Sequence, residues 1–231
     1  MVTTLYLVRH GATEGSNTKR YIGSIDVPLS EEGIEQARKA SLSVMEHLTN
    51  SASSRNCSYL KDIHGKETGM YADSGEAHRL SAVYCSDLAR TVKSAEIIAQ
   101  PHGLIPMQSP HLRERSFGIW EGMTFLEIKE KYPVEFASWA GNPVEYGPMD
   151  GESTLKVKER VVPELERIVK NHNGRNIAIV AHGGINRIVL CHILGMPLEN
   201  IFRIEQDFGA LNIIEFWDKY PVVKLLNGNG I

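Results

Sequence analysis

Two histidines in this sequence stand beside arginine or glycine at the end of a short apolar run. His10 follows such a run and Arg9, and it precedes Gly11. His182 follows a second apolar run and precedes Gly183. A neutral imidazole is a nucleophile, and a guanidinium group with nearby N–H donors binds anionic oxygens. The two segments together predict one site, at which a phosphate is bound and attacked.

Phosphoryl transfer from a monoester requires several kinds of chemical group in one site. Positive charge and N–H donors must surround the equatorial oxygens, a nucleophile must lie in line, and the departing alkoxide must receive a proton. We assign His10 as the nucleophile, with Arg9 and the backbone of Gly11 holding the group under attack. Arg90, in the first turn of a predicted helix after residues 86–89, is a bidentate phosphate ligand.

A second set of donors for the same anion lies later in the chain. His182 is the second side-chain donor, and the amides of Gly183 and Gly184 lead into a predicted helix. The N-terminus of a helix carries a positive dipole end and unpaired N–H groups. These residues are therefore expected to bind the same anion as Arg9 and Arg90.

The spacing of the residues does not decide which side chain is the general acid. The loop-like segment 112–122 contains two carboxylates, Glu114 and Glu121, beside the aromatic residues Phe117 and Trp120. Such surroundings suit a glutamate that is partly desolvated and protonated near neutral pH. Glu114 is taken as the acid, but from spacing alone Glu121 is an equal candidate.

Strand and helix patterns alternate along most of the chain, which is what would bring these residues together. Ser30 is placed to cap a helix with an apolar face over residues 34–48, and Asp87 is placed to cap the next helix. The further elements are a strand at 82–85, an amphipathic stripe at 161–169, a strand at 177–181, a helix at 184–194 and a terminal hairpin at 211–217 and 221–226. This alternation predicts an α/β fold with a mostly parallel central sheet covered on both faces, in a three-layer α/β/α sandwich. Ligands of such folds collect beyond the carboxyl ends of the strands.

One segment interrupts the alternation of strands and helices and bears on the domain organisation. Residues 51–78 are rich in small and polar residues without a sustained period, and we interpret them as an insertion between the first helix and the second strand. The whole chain, 1–231, is otherwise predicted to be a single domain. The apolar terminal hairpin offers a sheet edge to a second copy, so a homodimer is one arrangement that the sequence allows.

Composition narrows the partners and the compartment. The chain has 231 residues, 42% of them hydrophobic, and a formal net charge of −3, which gives no basic excess for binding nucleic acid. Its three cysteines show no Cys-x-x-Cys spacing, which favours the reducing cytoplasm over a disulfide framework or a cysteine metal site. No basic leader and no apolar run of about 18 residues is present, so secretion and membrane insertion are not expected.

Five ordered blocks of the sequence resemble the histidine phosphatase superfamily, which is also called the phosphoglycerate mutase-like family. The blocks are LYLVRHGATEG, GSIDVPLSEEGIEQA, CSDLARTVKSA, LRERSFGIWEG and IVAHGGINR. The resemblance implies a phosphoglycerate mutase-like fold, phosphorylation of His10, a phosphate pocket formed by Arg9, Arg90 and His182, and Glu114 as the proton donor. It implies no metal and no organic cofactor, and a small phosphorylated metabolite as the substrate.

The branch of the family is a separate inference. The stretch FGIWEG and the C-terminal segment are more similar to the α-ribazole phosphatases of cobalamin synthesis than to the mutases. The resemblance therefore favours hydrolysis, with α-ribazole 5′-phosphate as a candidate substrate. A broad-specificity phosphatase and a phosphoglycerate mutase-type phosphoryl transferase stay open as alternatives.

One phosphate-contacting position departs from the family pattern. Many relatives have an asparagine six residues after the nucleophile, whereas this chain has Ser16 there, followed by Asn17. If the loop keeps its length up to Gly23, Ser16 takes that place, and its hydroxyl still donates one hydrogen bond. We keep Ser16, Asn17 and Gly23 as candidate phosphate-binding residues.

Two other classes of function compete with a phosphatase. Two histidines and a glutamate also match a facial metal site, although adjacent arginines oppose a cation there. Alternatively, the chain is a phosphoryl-binding module without turnover, or a docking protein that uses its insertion. The presence of both a nucleophile and an acid position argues against this last class.

Overall fold

The computed structural model describes residues 2–53 and 78–229. In this part of the chain, the strands of the sheet are β1 (Thr3–Arg9), β2 (Ala82–Cys85), β3 (Met107–Gln108), β4 (Asn176–Ala181), β5 (Leu211–Phe216) and β6 (Pro221–Gly228). They lie side by side in the order β3-β2-β4-β1-β5-β6. Strands β3, β2, β4 and β1 are parallel to one another, β5 is antiparallel to β1, and β6 is antiparallel to β5. The mostly parallel sheet and its terminal hairpin are therefore confirmed.

Helices cover both faces of this sheet. They are α1 (Glu31–Ser53), α2 (Ala89–Ala99), α3 (Phe125–Lys131), α4 (Pro133–Gly141), α5 (Thr154–Asn171) and α6 (Gly183–Leu194). Short 3-10 turns lie at Ser16–Thr18, Gln100–His102, Pro110–Leu112, Gly118–Trp120 and Leu198–Arg203. One core contains residues of α1 and α2, and the other contains residues of α5 and α6. The predicted three-layer α/β/α arrangement is confirmed.

Strand β1 shows how one short segment serves both cores. Successive side chains of a strand point to opposite faces of the sheet. Leu5 and Leu7 accordingly pack in the core on the α5 and α6 side, and Tyr6 and Val8 pack in the core on the α1 and α2 side. A strand that is buried on both faces is continuously apolar, which is the pattern that predicted it.

The helix starts were predicted with mixed success. The Ser30 hydroxyl accepts a hydrogen bond from the amide of Gly33 at 3.1 Å, as expected of an N-cap. The Asp87 cap was wrong, since α2 begins after Leu88 without a side-chain cap and Asp87 forms an ion pair with Arg113. Within the apolar face predicted for residues 34–48 of α1, Val44 and Leu48 are buried, whereas Met45 is 39% exposed.

The parallel register brings three loop starts to one edge of the sheet. Arg9 lies opposite Ala181 in the pairing of β1 with β4, and Cys85 lies opposite Val180 in the pairing of β2 with β4. The residues that follow these strands, His10, Ser86 and His182, are consequently neighbours. The fold thus places the two histidines side by side at the carboxyl ends of β1 and β4.

The predicted insertion at 51–78 is only partly open to comparison. Helix α1 continues to Ser53, so the insertion begins later than expected. Residues 54–77 lie outside the described residues. Across 2–53 and 78–229, no helix has the length and apolar character needed to cross a bilayer.

Candidate active site

His10 is a buried, neutral imidazole with a defined tautomer. Its Nδ1 lies 2.7 Å from the carbonyl oxygen of Gly11, which only accepts, so Nδ1 carries the hydrogen and Nε2 carries a lone pair. Burial, together with the charges of Arg9 and Arg90, holds the pKa of His10 well below its usual range. The ring therefore stays neutral near pH 7 with Nε2 as an available nucleophile.

His182 lies against His10 and is fully buried. The two ring centroids are 5.0 Å apart with planes at 69°. The Nε2 atom of His182 lies 2.8 Å from the Ser86 hydroxyl, and its Nδ1 lies 3.4 Å from Nε of Arg90. Burial, then the neighbouring His10 and arginines, hold the pKa of His182 well below its usual range. The expected convergence of the two imidazoles is therefore present.

Arg90 is fixed by the loop that follows β1. Its Nη2 donates to the carbonyl of Gly23 at 2.7 Å and its Nη1 donates to the carbonyl of Ile25 at 2.8 Å. Gly23 has φ of +28°, and a Cβ there would lie 2.5 Å from the carbonyl oxygen of Arg115, so no side chain fits. Gly23 thus belongs to the site chiefly as a support that orients the guanidinium group.

Arg9 contacts the segment 206–208, which precedes β5. Its Nη1 donates to the carbonyl of Gln206, and its guanidinium carbon lies 3.8 Å from the centroid of the Phe208 ring. Its buried Nε has no hydrogen-bond partner among the residues that the structure describes, and a Cβ added at Gly183 would lie 3.2 Å from it. Burial lowers the pKa of Arg9 to about 10, which still leaves it cationic near neutral pH.

Glu114 is held at the N-terminus of α6. Its Oε2 accepts a hydrogen bond from the Gly184 amide at 3.1 Å, and its Oε1 accepts from the Arg115 amide at 2.9 Å. The Gly184 amide was expected to face the phosphate, and the structure instead gives it to this carboxylate. The neighbouring Arg115 side chain is half-buried and donates to the Thr154 hydroxyl.

Glu121 occupies a different position from Glu114. One of its oxygens accepts hydrogen bonds from the amides of Ser24 and Phe117, at 2.8 and 3.1 Å. It therefore ties together two loops that border the site, and it is not among the residues that line the pocket. Of the two carboxylates that spacing left equal, Glu114 is the one that reaches the two histidines' pocket.

The pocket at this edge of the sheet gathers most of the predicted residues. Those that line it are Arg9, His10, Ser16, Gly23, Arg90, Glu114 and His182. Asn17 is exposed on the adjacent turn and is not part of the lining, which agrees with Ser16 taking the asparagine position. Gly183 is not part of the lining, but a Cβ at this position would lie 3.3 Å from the guanidinium carbon of Arg9.

Gly11 has a different role from the expected contact with phosphate. Its amide donates to the Ser94 hydroxyl at 3.4 Å, and its carbonyl accepts from His10. A Cβ at this position would lie 2.0 Å from the carbonyl oxygen of Gly33 in α1. Glycine is needed here because α1 packs directly on the loop.

Sequence reasoning missed the apolar part of the pocket lining. Tyr21, Ile22, Phe117 and Phe208 border the pocket together with Thr13 and Arg20. The rings of Tyr21 and Phe117 are 4.7 Å apart, and Phe208 lies beside His10 at 5.8 Å. Of these aromatic residues, Phe117 was named only as a neighbour of the two candidate carboxylates, and Tyr21 and Phe208 were given no role.

The competing metal interpretation receives no geometric support. Among the described residues, no group of three or more His, Cys, Asp or Glu side chains is arranged to hold a metal ion. The two histidines and Glu114 share the pocket with two guanidinium groups and do not form such a cluster.

Comparison with known proteins agrees with this site and fold. The model of the histidine phosphatase superfamily (branch 1) matches residues 5–58 and 69–229. The chain belongs to the histidine phosphatase superfamily, and its predicted class, a phosphatase that acts on phosphoric monoesters, is confirmed.

Individual relatives carry different substrate names. Phosphoserine phosphatase 1 of Hydrogenobacter thermophilus is 28% identical over 223 residues, which cover 96% of this chain and 91% of that protein. The adenosylcobalamin/alpha-ribazole phosphatase of Escherichia coli is 24% identical over 227 residues, which cover 98% and 97%. The crystal structure of the alpha-ribazole phosphatase from Shigella flexneri superposes with a TM-score of 0.78 at 23% identity, covering 99% and 98%, which shows the shared fold.

Proposed function

We propose that this chain hydrolyses phosphomonoesters through a phosphohistidine on His10. The observation that carries the proposal is the contact of His10 Nδ1 with the Gly11 carbonyl oxygen. Because Nδ1 donates its hydrogen to this carbonyl, Nε2 has a lone pair with which to attack phosphorus. In the first step a bond forms between Nε2 and phosphorus as the ester P–O bond breaks. No base has to remove a proton from this nucleophile, because burial already keeps the ring neutral.

The charges around His10 suit the equatorial oxygens of the transferring group. Arg9 and Arg90 each retain N–H donors beyond the backbone carbonyls that hold them. His182 and Ser16 line the same pocket, and the Ser16 hydroxyl can donate one further hydrogen bond. Such prearranged donors stabilise the charge of the transition state without reorganisation during the reaction.

Glu114 is proposed as the acid and then the base of the two half-reactions. It gives a proton to the departing alkoxide, and its carboxylate then takes a proton from the water that attacks the phosphohistidine. The second step restores His10 and releases inorganic phosphate. Every step in this scheme is assigned to side chains and water.

The substrate is proposed to be a phosphate ester of a neutral, partly aromatic alcohol, with α-ribazole 5′-phosphate as the specific candidate. Tyr21, Phe117 and Phe208 supply aromatic surface around the pocket. Arg20 also borders it, but its guanidinium group forms an ion pair with Glu127 at 2.9 Å. Among the described residues the leaving-group side thus offers apolar contact rather than a free cation for the carboxylate of phosphoserine or phosphoglycerate.

A substrate panel tests both parts of the proposal. Phosphate release is measured with chelator present on p-nitrophenyl phosphate, α-ribazole 5′-phosphate, phosphoserine and 3-phosphoglycerate. We expect His10→Ala to lose turnover by at least about 10³-fold, whereas His78→Ala, a change at an exposed histidine, keeps wild-type rates. Full turnover by His10→Ala would reject the phosphohistidine, and preference for phosphoserine or phosphoryl transfer to 3-phosphoglycerate would reject the substrate class.

A further inference from the structure

An ion pair between Arg160 of α5 and Glu152, which precedes that helix, contacts the segment that carries Glu114. Nε of Arg160 lies 2.7 Å from Oε1 of Glu152, and Nη2 lies 2.8 Å from Oε2. The two side chains are 19% and 25% exposed. A bidentate arginine–carboxylate pair fixes the orientation of both groups as well as their distance. The pair is thus a half-buried and oriented unit.

Arg160 uses its other donor directions on the backbone that leads to Glu114. Its Nη1 donates to the carbonyl of His111 at 2.8 Å, and its Nη2 also contacts the carbonyl of Glu114 at 3.2 Å. Both carbonyls belong to the short segment 111–116, so one planar guanidinium group holds that segment at two points. A lysine ammonium is a compact point charge and does not reproduce this fork.

Glu152 holds the chain that follows Glu114. Its Oε2 accepts a hydrogen bond from the Ser116 amide at 3.0 Å, and its own amide donates to the Ser116 carbonyl at 2.9 Å. Between them, Arg115 donates from its side chain to the hydroxyl of Thr154, at the start of α5. The backbone on both sides of Glu114 is therefore attached to α5 and to the residues just before it.

The direction of the Glu114 carboxylate depends on this backbone. The carboxylate accepts from the amides of Gly184 and Arg115, and the second of these amides belongs to the segment that the ion pair holds. A shift of the segment would move the carboxylate and one of its two donors together. Neither Arg160 nor Glu152 is among the described residues that line the pocket, so a change at either removes no group from the phosphate site.

We propose that Arg160 and Glu152 are positioning residues for the acid, which hold segment 111–116 so that the carboxyl group of Glu114 reaches the departing oxygen of the substrate. This inference rests on the proposed function of Glu114, and it is independent of which phosphate ester is the natural substrate. An ion pair that only stabilises the fold would affect all substrates alike. A pair that aims the acid matters most where the leaving group needs a proton.

Three esters with departing oxygens of rising basicity separate these roles: p-nitrophenyl phosphate, phenyl phosphate and benzyl phosphate. The quantity compared is kcat/KM, which covers the steps up to release of the alcohol, in which Glu114 gives its proton. A misplacement of about 1 Å costs about 100-fold when the moved group acts in the chemical step. We expect Arg160→Lys, which keeps the charge, to lose at least about tenfold on benzyl phosphate and less than about threefold on p-nitrophenyl phosphate, with phenyl phosphate between them.

Arg167→Lys is the matched control for this variant. Arg167 lies further along the same helix and forms the same kind of bidentate pair with Glu164, at 2.7 and 2.9 Å. We expect it to keep wild-type kcat/KM on all three esters. Thermal melting is measured for both variants, so that a loss of folded protein is distinguished from a loss of rate.

Two further variants test the same role by other routes. Glu152→Gln keeps the size of the side chain and an acceptor for the Ser116 amide, but it removes the charge that holds Arg160. It is expected to show the same dependence on the leaving group with a smaller loss. Adding Arg160→Lys to Glu114→Gln is expected to cause no further loss that depends on the leaving group, because the acid is already absent.

The outcomes distinguish this inference from the proposed function. Losses by Arg160→Lys and Glu152→Gln that are absent or equal on the three esters overturn the positioning role and leave the phosphatase intact. The same holds if Arg167→Lys shows a leaving-group dependence as large as that of Arg160→Lys. If Glu114→Gln itself loses activity equally on the three esters, Glu114 is not the acid, and this inference falls with it.

Discussion

Gly184→Ala is the substitution that displaces Glu114 while leaving the groups assigned to phosphate untouched. The Gly184 amide donates to Oε2 of Glu114 at 3.1 Å. A Cβ at position 184 would lie 2.5 Å from Oε1 and 3.3 Å from Cδ of the same carboxylate. Since non-bonded carbon contacts are comfortable only near 3.5 Å, the carboxylate must move by about 1 Å.

The expected effect is on turnover and not on binding. A misplacement of about 1 Å costs about 100-fold in rate when the moved group acts in the chemical step. We expect kcat for an alkyl phosphate to fall by that factor, with KM near the wild-type value. The loss is smaller for p-nitrophenyl phosphate, because p-nitrophenolate leaves without full protonation. Folding is expected to persist, because the displaced atoms are the end of a flexible side chain and alanine favours a helix over glycine by about 1 kcal/mol.

Gly141→Ala is the matched control. It makes the same change at the end of α4, where an added Cβ meets nothing within 4 Å. Steady-state kinetics and thermal melting are measured for both variants. Wild-type kinetics are expected for Gly141→Ala, and a kcat of Gly184→Ala within about twofold of wild type on the alkyl phosphate would refute Glu114 as the acid.

Three further predictions test supports of the site. Burial depresses the pKa of His10 and of His182, so below about pH 6.5 the unfolded chain binds more protons and the unfolding free energy falls by up to about 1.4 kcal/mol per histidine per pH unit. Urea unfolding of the wild type and of His10→Gln measures this, and an equal slope in both contradicts it. Gly11→Ala, with its Cβ 2.0 Å from the Gly33 oxygen, is expected to lower the unfolding free energy by about 3 kcal/mol, and wild-type stability would show that α1 does not pack as described. Glu121→Gln is expected to cost about 1 kcal/mol of stability while kcat stays near wild type, and a collapse of kcat would restore Glu121 as the acid.

The fold and the central residues of the site could be predicted from the sequence because both depend on local patterns. Continuous apolar runs marked strands buried on both faces, and the His-Gly pairs marked where β1 and β4 end. The parallel order of these strands then places His10 and His182 together without further information. Arg90 followed from its position in the first turn of α2.

What the sequence did not predict depends on contacts between distant segments. Tyr21 and Phe208 belong to the pocket only because two separate loops fold over the same sheet edge. The choice between Glu114 and Glu121 depends on the N-terminus of α6, about 70 residues away along the chain. The packing of Gly11 against α1 is likewise a tertiary contact, and no spacing rule reports it.

Phosphorylation of His10 is the step on which the proposed mechanism depends most. The direct measurement is rapid-quench labelling with ³²P-labelled p-nitrophenyl phosphate, followed by peptide mapping under alkaline conditions. Glu114→Gln is included because p-nitrophenolate leaves without full protonation, so loss of this carboxylate slows breakdown of the intermediate more than its formation. We expect acid-labile, base-stable label on the peptide that contains His10, at close to one phosphate per chain in Glu114→Gln and absent in His10→Ala. Turnover at the normal rate with no label on His10 would contradict the mechanism.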